Sequence, residues 1–182
     1  MDIVKHIKQH TENLHKGFSS ALPEQRQILK VVALDFYFLL PKFEEVISKY
    51  IKIDLTKNQL ISDIKNRNIE KHQKASEKSN AEVDQYSDEY EEPEQLEMFI
   101  LVAFDNSVSD TKNIDSLAGL FIGILNTLDY YENFSDEPEY WNELLEKEVA
   151  FQNEILSILK MHGAFDTSIY QKRYSNVKFS EL

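Results

Sequence analysis

The chain has 182 residues, with 32 Asp and Glu against 20 Lys and Arg, a net charge of −12 and no cysteine. Disulfides, thiolate metal sites and Cys nucleophiles are therefore excluded. So negative a chain also argues against binding nucleic acid or an anionic membrane, because both need basic surfaces.

An apolar content of 42% is enough for a packed core, and four Gly with four Pro are too few for a turn-rich all-β fold. The predicted architecture is all-α, a single-domain bundle of about six or seven helices over residues 1–182. Residues Met1 to His6 lack a basic segment leading into an apolar one, so no secretory signal is expected. The most apolar run, Leu117 to Leu128, is 12 residues and falls short of the roughly 20 needed to cross a bilayer. The expected location is the cytoplasm.

In chain order, Ile3, Val4, Ile7, Leu14 and Phe18 share one face of a first helix, with Gly17 as its stop. Pro23 suits the first turn of a second helix, apolar on most faces from Val31 to Leu40 and so deep in the core. Pro41 predicts a break, since an interior proline costs about 3 kcal/mol. Phe43, Val46, Ile47 and Tyr50 continue as a helix, and Thr56 with Gln59 forms a capping-box pattern before Leu60, Ile61 and Ile64. Residues 71–92 hold one strong aliphatic, Val83, and read as an acidic loop, a solvated helix end or a disordered insertion. Pro93 opens a helix through Phe104, and Asn113 caps another that runs to about Tyr131. Asp136, Pro138 and Glu139 signal the start of the last long helix, which carries Trp141, Leu144, Val149, Ile155 and Leu159. Lys160 and His162 complement the dipole of that helix and Gly163 ends it. The tail over residues 165–182 reads as a strand, a short helix or a docked segment.

Charge is segregated along the chain. Ser79 to Leu159 holds 20 acids and 2 bases, a net of −18, whereas Met1 to Lys78 carries +4 and Lys160 to Leu182 carries +2. Ser79 to Thr111 has ten acids and no base. Self-repulsion in such a block is relieved by a basic partner. Its centre is Asp84, Tyr86, Asp88, Glu89, Tyr90, Glu91 and Glu92. The two tyrosines would serve as anchors, because Tyr adds contact area at little entropic cost, and the carboxylates would steer the partner in. The plain alternative is a solvated loop that aids solubility.

Three further groups stand out. His6, His10, Glu12 and His15 include an i, i+4 His pair and one Glu-x-x-His, while a carboxylate-bridged dimetal bundle needs two such pairs and two further Glu. The plain alternative is a polar surface face. Gly119 and Gly123, four apart in the apolar helix, permit another helix to approach closely, either in the core or between copies of the chain. Tyr130, Tyr131, Phe134, Tyr140 and Trp141 form either an exposed aromatic rim beside acids or the closed end of the bundle. There is no Gly-x-Ser-x-Gly elbow, and the many paired carboxylates single out no acid and base.

From Leu34 onward the order of features resembles a bacterial helical family, domain-of-unknown-function family 416. The resemblance rests on Leu40-Pro41-Lys42-Phe43, on Leu60 to Ile64, on Ala103-Phe104-Asp105-Asn106-Ser107, and on the closing stretch from Leu145 to Leu156. It implies a compact all-α fold, with no established activity and no functional residues to carry over. In class, small acidic helical proteins of this kind resemble immunity proteins that neutralise bacterial toxins. The reading that follows is a non-enzymatic protein without cofactor, an immunity protein or antitoxin facing a basic partner such as a nuclease toxin domain. A metal-dependent helical enzyme built on the His/Glu cluster and a homo-oligomeric structural protein are the alternatives.

Overall fold

The computed structural model describes residues 3–84, 86–88, 90–161, 170 and 172–182, and side chains from Ile7 onward. Among them are eight helices: α1 (Ile3–Ser20), α2 (Pro23–Tyr37), α3 (Phe43–Ile51), α4 (Lys57–Lys65), α5 (Glu70–Glu82), α6 (Gln95–Ser107), α7 (Ile114–Phe134) and α8 (Pro138–Lys160). The all-α class is as expected, and the count exceeds the six or seven expected because α5 forms where a loop was predicted. None of these helices is long and apolar enough to cross a membrane.

Helix α7 is the centre of the packing. It lies against α8, α6, α1 and α2, while α3 packs on α6 and α5. Its Leu117, Leu120, Phe121, Ile124 and Leu128 are buried, which accounts for a run apolar on most faces. Its start is as predicted, with Asn113 Oδ1 accepting from the Ser116 amide at 3.1 Å. At Thr56 the capping pattern is half used. The hydroxyl accepts from the Gln59 amide at 3.2 Å, but the Gln59 side chain donates to Asp63 at 2.9 Å instead of reaching back.

The two interior glycines of α7 are packing devices. A Cβ on Gly119 would meet Asn106 of α6 at 2.9 Å, and one on Gly123 would strike the Tyr37 hydroxyl of α2. That hydroxyl donates to the Leu120 carbonyl at 2.7 Å. At these two glycines the close approach is made by Asn106 and Tyr37 of the chain itself. Gly17 does not end α1, which runs on to Ser20. It leaves room for Leu156 of α8.

Proline and basic residues shape the bends. Helix α2 stops at Tyr37, turns through Pro41 as expected, and α3 begins at Phe43. Lys42 before α3, Lys52 after it and Arg67 after α4 take left-handed backbone, with φ of 58°, 61° and 60°. Such a conformation in a non-glycine residue costs on the order of 1 kcal/mol. Each of these cations reaches an acid from another segment: Lys42 to Glu181, Lys52 to Glu82 at 3.6 Å, and Arg67 to Glu24 at 3.5 Å.

Helix α5 is almost wholly polar, and buried hydrogen bonds hold it. His72 Nε2 meets Asp63 at 2.8 Å, Ser76 donates to Asp105, and Ser79 donates to the Ile51 carbonyl at 3.0 Å. Those three residues, four and three apart, are its buried face. Of the loop, solvated helix end or disordered insertion expected over 71–92, the stretch up to Glu82 is a helix, because polar side chains there do the work usually left to aliphatics.

Lys30 of α2 is only 1% exposed. Its ammonium donates to the Ser109 carbonyl and, at 3.2 Å, to the Ser109 hydroxyl, holding the α6–α7 connection. Burial pushes its pKa down to about 8, with Asp110 pulling the other way.

Two predictions follow from these contacts. Gly123→Ala is expected to lower stability by about 1–3 kcal/mol through overpacking, and Tyr37→Phe should recover part of that loss by removing the blocking oxygen; urea unfolding of both variants measures it. Between pH 8 and 10.5 the unfolded chain holds a proton on Lys30 that the folded protein has released, so stability rises with pH across that window by about 3 kcal/mol. Lys30→Met is expected to remove that rise, read as the difference between the two unfolding curves across pH.

Candidate functional site

The acidic centre predicted from the sequence falls on the connection between α5 and α6. Glu89 and Gln85 lie outside the described residues. Asp84, Asp88, Glu91 and Glu92 are exposed. Tyr86 is 97% exposed and Tyr90 36%. Local hydrogen bonds shape the segment. Asp84 Oδ1 accepts from the Tyr86 amide at 3.0 Å, the Asp84 carbonyl from the Ser87 amide at 3.1 Å, and the Ser87 carbonyl from the Tyr90 amide at 3.0 Å. Its far end is tied to α3, where Lys49 meets Glu91 at 2.8 Å and lowers that carboxyl below its ordinary range. Asp84, Asp88 and Glu92 have no ion pair among the described residues, and Tyr86 lies between the first two.

The N-terminal cluster does not converge. The His6 side chain and all of His162 and Gly163 lie outside the described residues. His10 turns inward and its Nε2 meets Gln152 Oε1 at 2.8 Å. Glu12 points to solvent, and His15 pairs with Asp115 at 3.2 Å. Among the described residues no group of three His, Asp or Glu is placed to hold a metal ion.

The aromatic group divides. Tyr131 and Trp141 stack at 4.3 Å inside the bundle, with Phe179 of the tail 5.5 Å from each, and the Tyr131 hydroxyl donates to the Ser180 carbonyl at 2.7 Å. Phe134 and Tyr140 stay exposed beside Asp136, Glu137 and Glu139. Both expectations are met, each by part of the group.

One constellation had no separate signal in the sequence. Glu148 on α8 is 1% exposed, and its carboxylate accepts from Arg173 Nε at 3.0 Å and from the Tyr174 hydroxyl. It also accepts from Gln152 Nε2 at 3.0 Å, and the same Gln152 nitrogen donates to the Phe121 carbonyl at 3.0 Å. A carboxylate and a carbonyl only accept, so the Gln152 amide nitrogen must face them and its oxygen must face His10. His10 Nε2 is therefore the donor to that oxygen. The spacing Glu148-x-x-x-Gln152 was the sole clue available, and it is indistinguishable from an ordinary exposed pair.

Beyond His10 the surface opens into a cleft of about 630 Å³ between α1, α7 and α8. Its walls are Ile7, Leu125, Leu145, Val149 and Ala150, and its carboxylates are Asp129, Glu132 and Glu146. Burial, then Asp129 and Glu146, pushes the Glu132 carboxyl above its ordinary value.

Glu148→Gln is expected to lower stability by about 3–5 kcal/mol, because it strands the Arg173 guanidinium in a largely buried site without a counter-charge. Glu148→Leu combined with Arg173→Met should lie closer to the parent protein than either single change does. Denaturant unfolding of the four variants, the two single changes of that pair included, checks both statements.

No protein-family model matches the chain, and neither a curated protein nor a solved structure matches it.

Proposed function

We propose that this protein is a non-enzymatic binding protein of the immunity or antitoxin type, which covers the basic groove of a toxin domain such as a nuclease. The observation that carries the reading is Tyr86. A large aromatic ring almost wholly in solvent contributes nothing to the core, and here it sits on turns set by hydrogen bonds, between the exposed carboxylates of Asp84 and Asp88. Exposed aromatics flanked by charge are the composition of binding hot spots. A segment already turned loses less conformational freedom on docking, so more of its contact energy appears as affinity.

Electrostatics supports the same partner. A nuclease groove is basic because it must hold phosphates, and an acidic face approaches it at rates raised by steering. Asp84, Asp88, Glu91 and Glu92, with Glu89 between them in sequence, supply the negative face, and Tyr86 with Tyr90 supplies the contact area.

The test uses a basic nuclease toxin domain, sought in the reading frames neighbouring this one, with association measured at low and high salt. The association rate should fall steeply as salt screens the exposed charges. Tyr86→Ala should weaken the complex by about 2 kcal/mol, mainly through faster dissociation. Replacing Asp84, Asp88 and Glu92 together with their amides should slow association. A rate indifferent to ionic strength, or full affinity without Tyr86, overturns the reading.

A further inference from the structure

Helix α6 is more apolar than its place in the bundle requires. From Leu96 to Phe104 only Glu97 is polar, a composition expected of a helix buried all round. The inner face meets that expectation, with Ile100, Ala103 and Phe104 buried. The outer face does not. Met98 and Val102, four apart and so on one side of the helix, are 40% and 48% exposed. Helix α7 runs antiparallel beside α6, with Gly119 against Asn106 and the Tyr130 ring 5.9 Å from that of Phe99. Tyr130 in turn meets Phe134 at 4.9 Å, and Phe134 is 69% exposed. Single exposed apolar residues need no explanation, but a connected group marks a contact surface.

The charge around this group has one sign. Between Ser79 and Glu146 the sequence holds a single basic residue, Lys112, in the α6–α7 connection. Exposed Glu94, Asp105 and Asp136 flank the apolar group, the first two along α6 and the third just past the end of α7. Lys42, Lys49 and Lys78 of neighbouring segments are already paired, with Glu181, with Glu91 at 2.8 Å and with Glu82 at 3.8 Å. A second copy is a poor occupant, because a two-fold contact would bring this acidic face against itself. An anionic lipid surface is repelled for the same reason. The complement is therefore an apolar stripe with Lys or Arg beside it. Two antiparallel helices present a groove that takes a third helix, and among the described residues no strand offers an edge to an extended peptide.

We propose that the outer α6–α7 face docks a basic amphipathic helix of another protein, its apolar stripe on Met98, Val102, Tyr130 and Phe134 and its Lys or Arg side chains toward Glu94, Asp105 and Asp136. This surface lies outside the acidic segment and shares with the function proposed above only the sign of the partner's charge. The 13 residues of α6 span about 20 Å, room for nearly four turns of a partner helix. Removing the exposed apolar side chains from water supplies the affinity, and the carboxylates speed and orient the approach. The face thus distinguishes a basic amphipathic helix from an acidic one by charge and from a merely basic segment by its stripe.

The test is titration of the intact protein, at about 150 mM salt, with a synthetic peptide of Leu and Lys in helical periodicity. A scrambled peptide of the same composition and a Leu/Glu peptide of the same pattern serve as comparisons. The patterned Leu/Lys peptide is expected to bind saturably and to shift the methyl resonances of Met98 and Val102. The scrambled peptide should bind about tenfold more weakly, and the Leu/Glu peptide not at all. Met98→Ser combined with Val102→Ser should weaken the patterned peptide about tenfold, with thermal unfolding near that of the parent because both side chains are exposed. Phe134→Ser, at a still more exposed position, should weaken it as well. Tyr86→Ala, which disables the acidic segment, should leave this affinity unchanged, so the two readings fail separately. Equal binding of either comparison peptide, unchanged affinity in the Ser variants, or loss of binding on Tyr86→Ala overturns the assignment. So does a dimer of the parent protein that the double Ser variant disperses, since the face then belongs to a second copy.

Discussion

The carboxylate of Glu148 is the interaction on which the rest of the bundle depends. It is buried in the centre of α8, where an isolated charge would be very costly, and four donor atoms from three side chains meet it. Through Arg173 and Tyr174 it fastens the tail to the bundle. Through Gln152 it reaches the Phe121 carbonyl of α7 and the His10 ring of α1. One charge thereby fixes the mutual placement of three helices and the tail at Arg173 and Tyr174. The Arg173 guanidinium also lies 4.4 Å from the centre of the Phe151 ring, so its charge is met on one side by a carboxylate and on another by a π-face.

Around that centre the tail completes the core. Tyr174 and Phe179 pack edge-on against Phe36 at 5.2 Å, and Phe179 lies beside the stacked Tyr131 and Trp141. Aromatic pairs in such tilted or offset arrangements add to the energy of burial alone. The end of the bundle near the α7–α8 connection is therefore closed by rings from three places in the chain. The opposite side of the α7–α8 pair, toward α1, stays partly open as the acidic cleft.

Much of this was legible in the sequence. The 3.6-residue spacing from Phe43 to Tyr50 and from Leu117 to Leu128, the break at Pro41 and the caps at Thr56 and Asn113 all appear where the pattern put them, because each depends on neighbours within one helical turn. What was illegible depends on distant partners. Helix α5 has no apolar periodicity, and its buried face is His72, Ser76 and Ser79, whose partners come from α4, α6 and the end of α3. Gly17 looks like a stop when read locally, and only Leu156 of α8 explains its place within a helix. His10 looks like a ligand beside His6, and only Gln152, 142 residues away, turns it into part of a buried network. In the acidic segment the charge was obvious. The turns that set its shape and the full exposure of Tyr86 were not.

The left-handed bends at Lys42, Lys52 and Arg67 bear on this charge segregation. Glycine would take those conformations without strain, yet each position holds a cation gripping an acid from elsewhere in the chain. Lys49, Lys71 and Lys74 are likewise paired with Glu91, Asp63 and Glu70. Much of the positive charge of the first 78 residues is thus paired, at the surface, with the chain's own carboxylates. A passing molecule meets mainly the acids left over, so the bends that shape the backbone also set the sign of the face it shows.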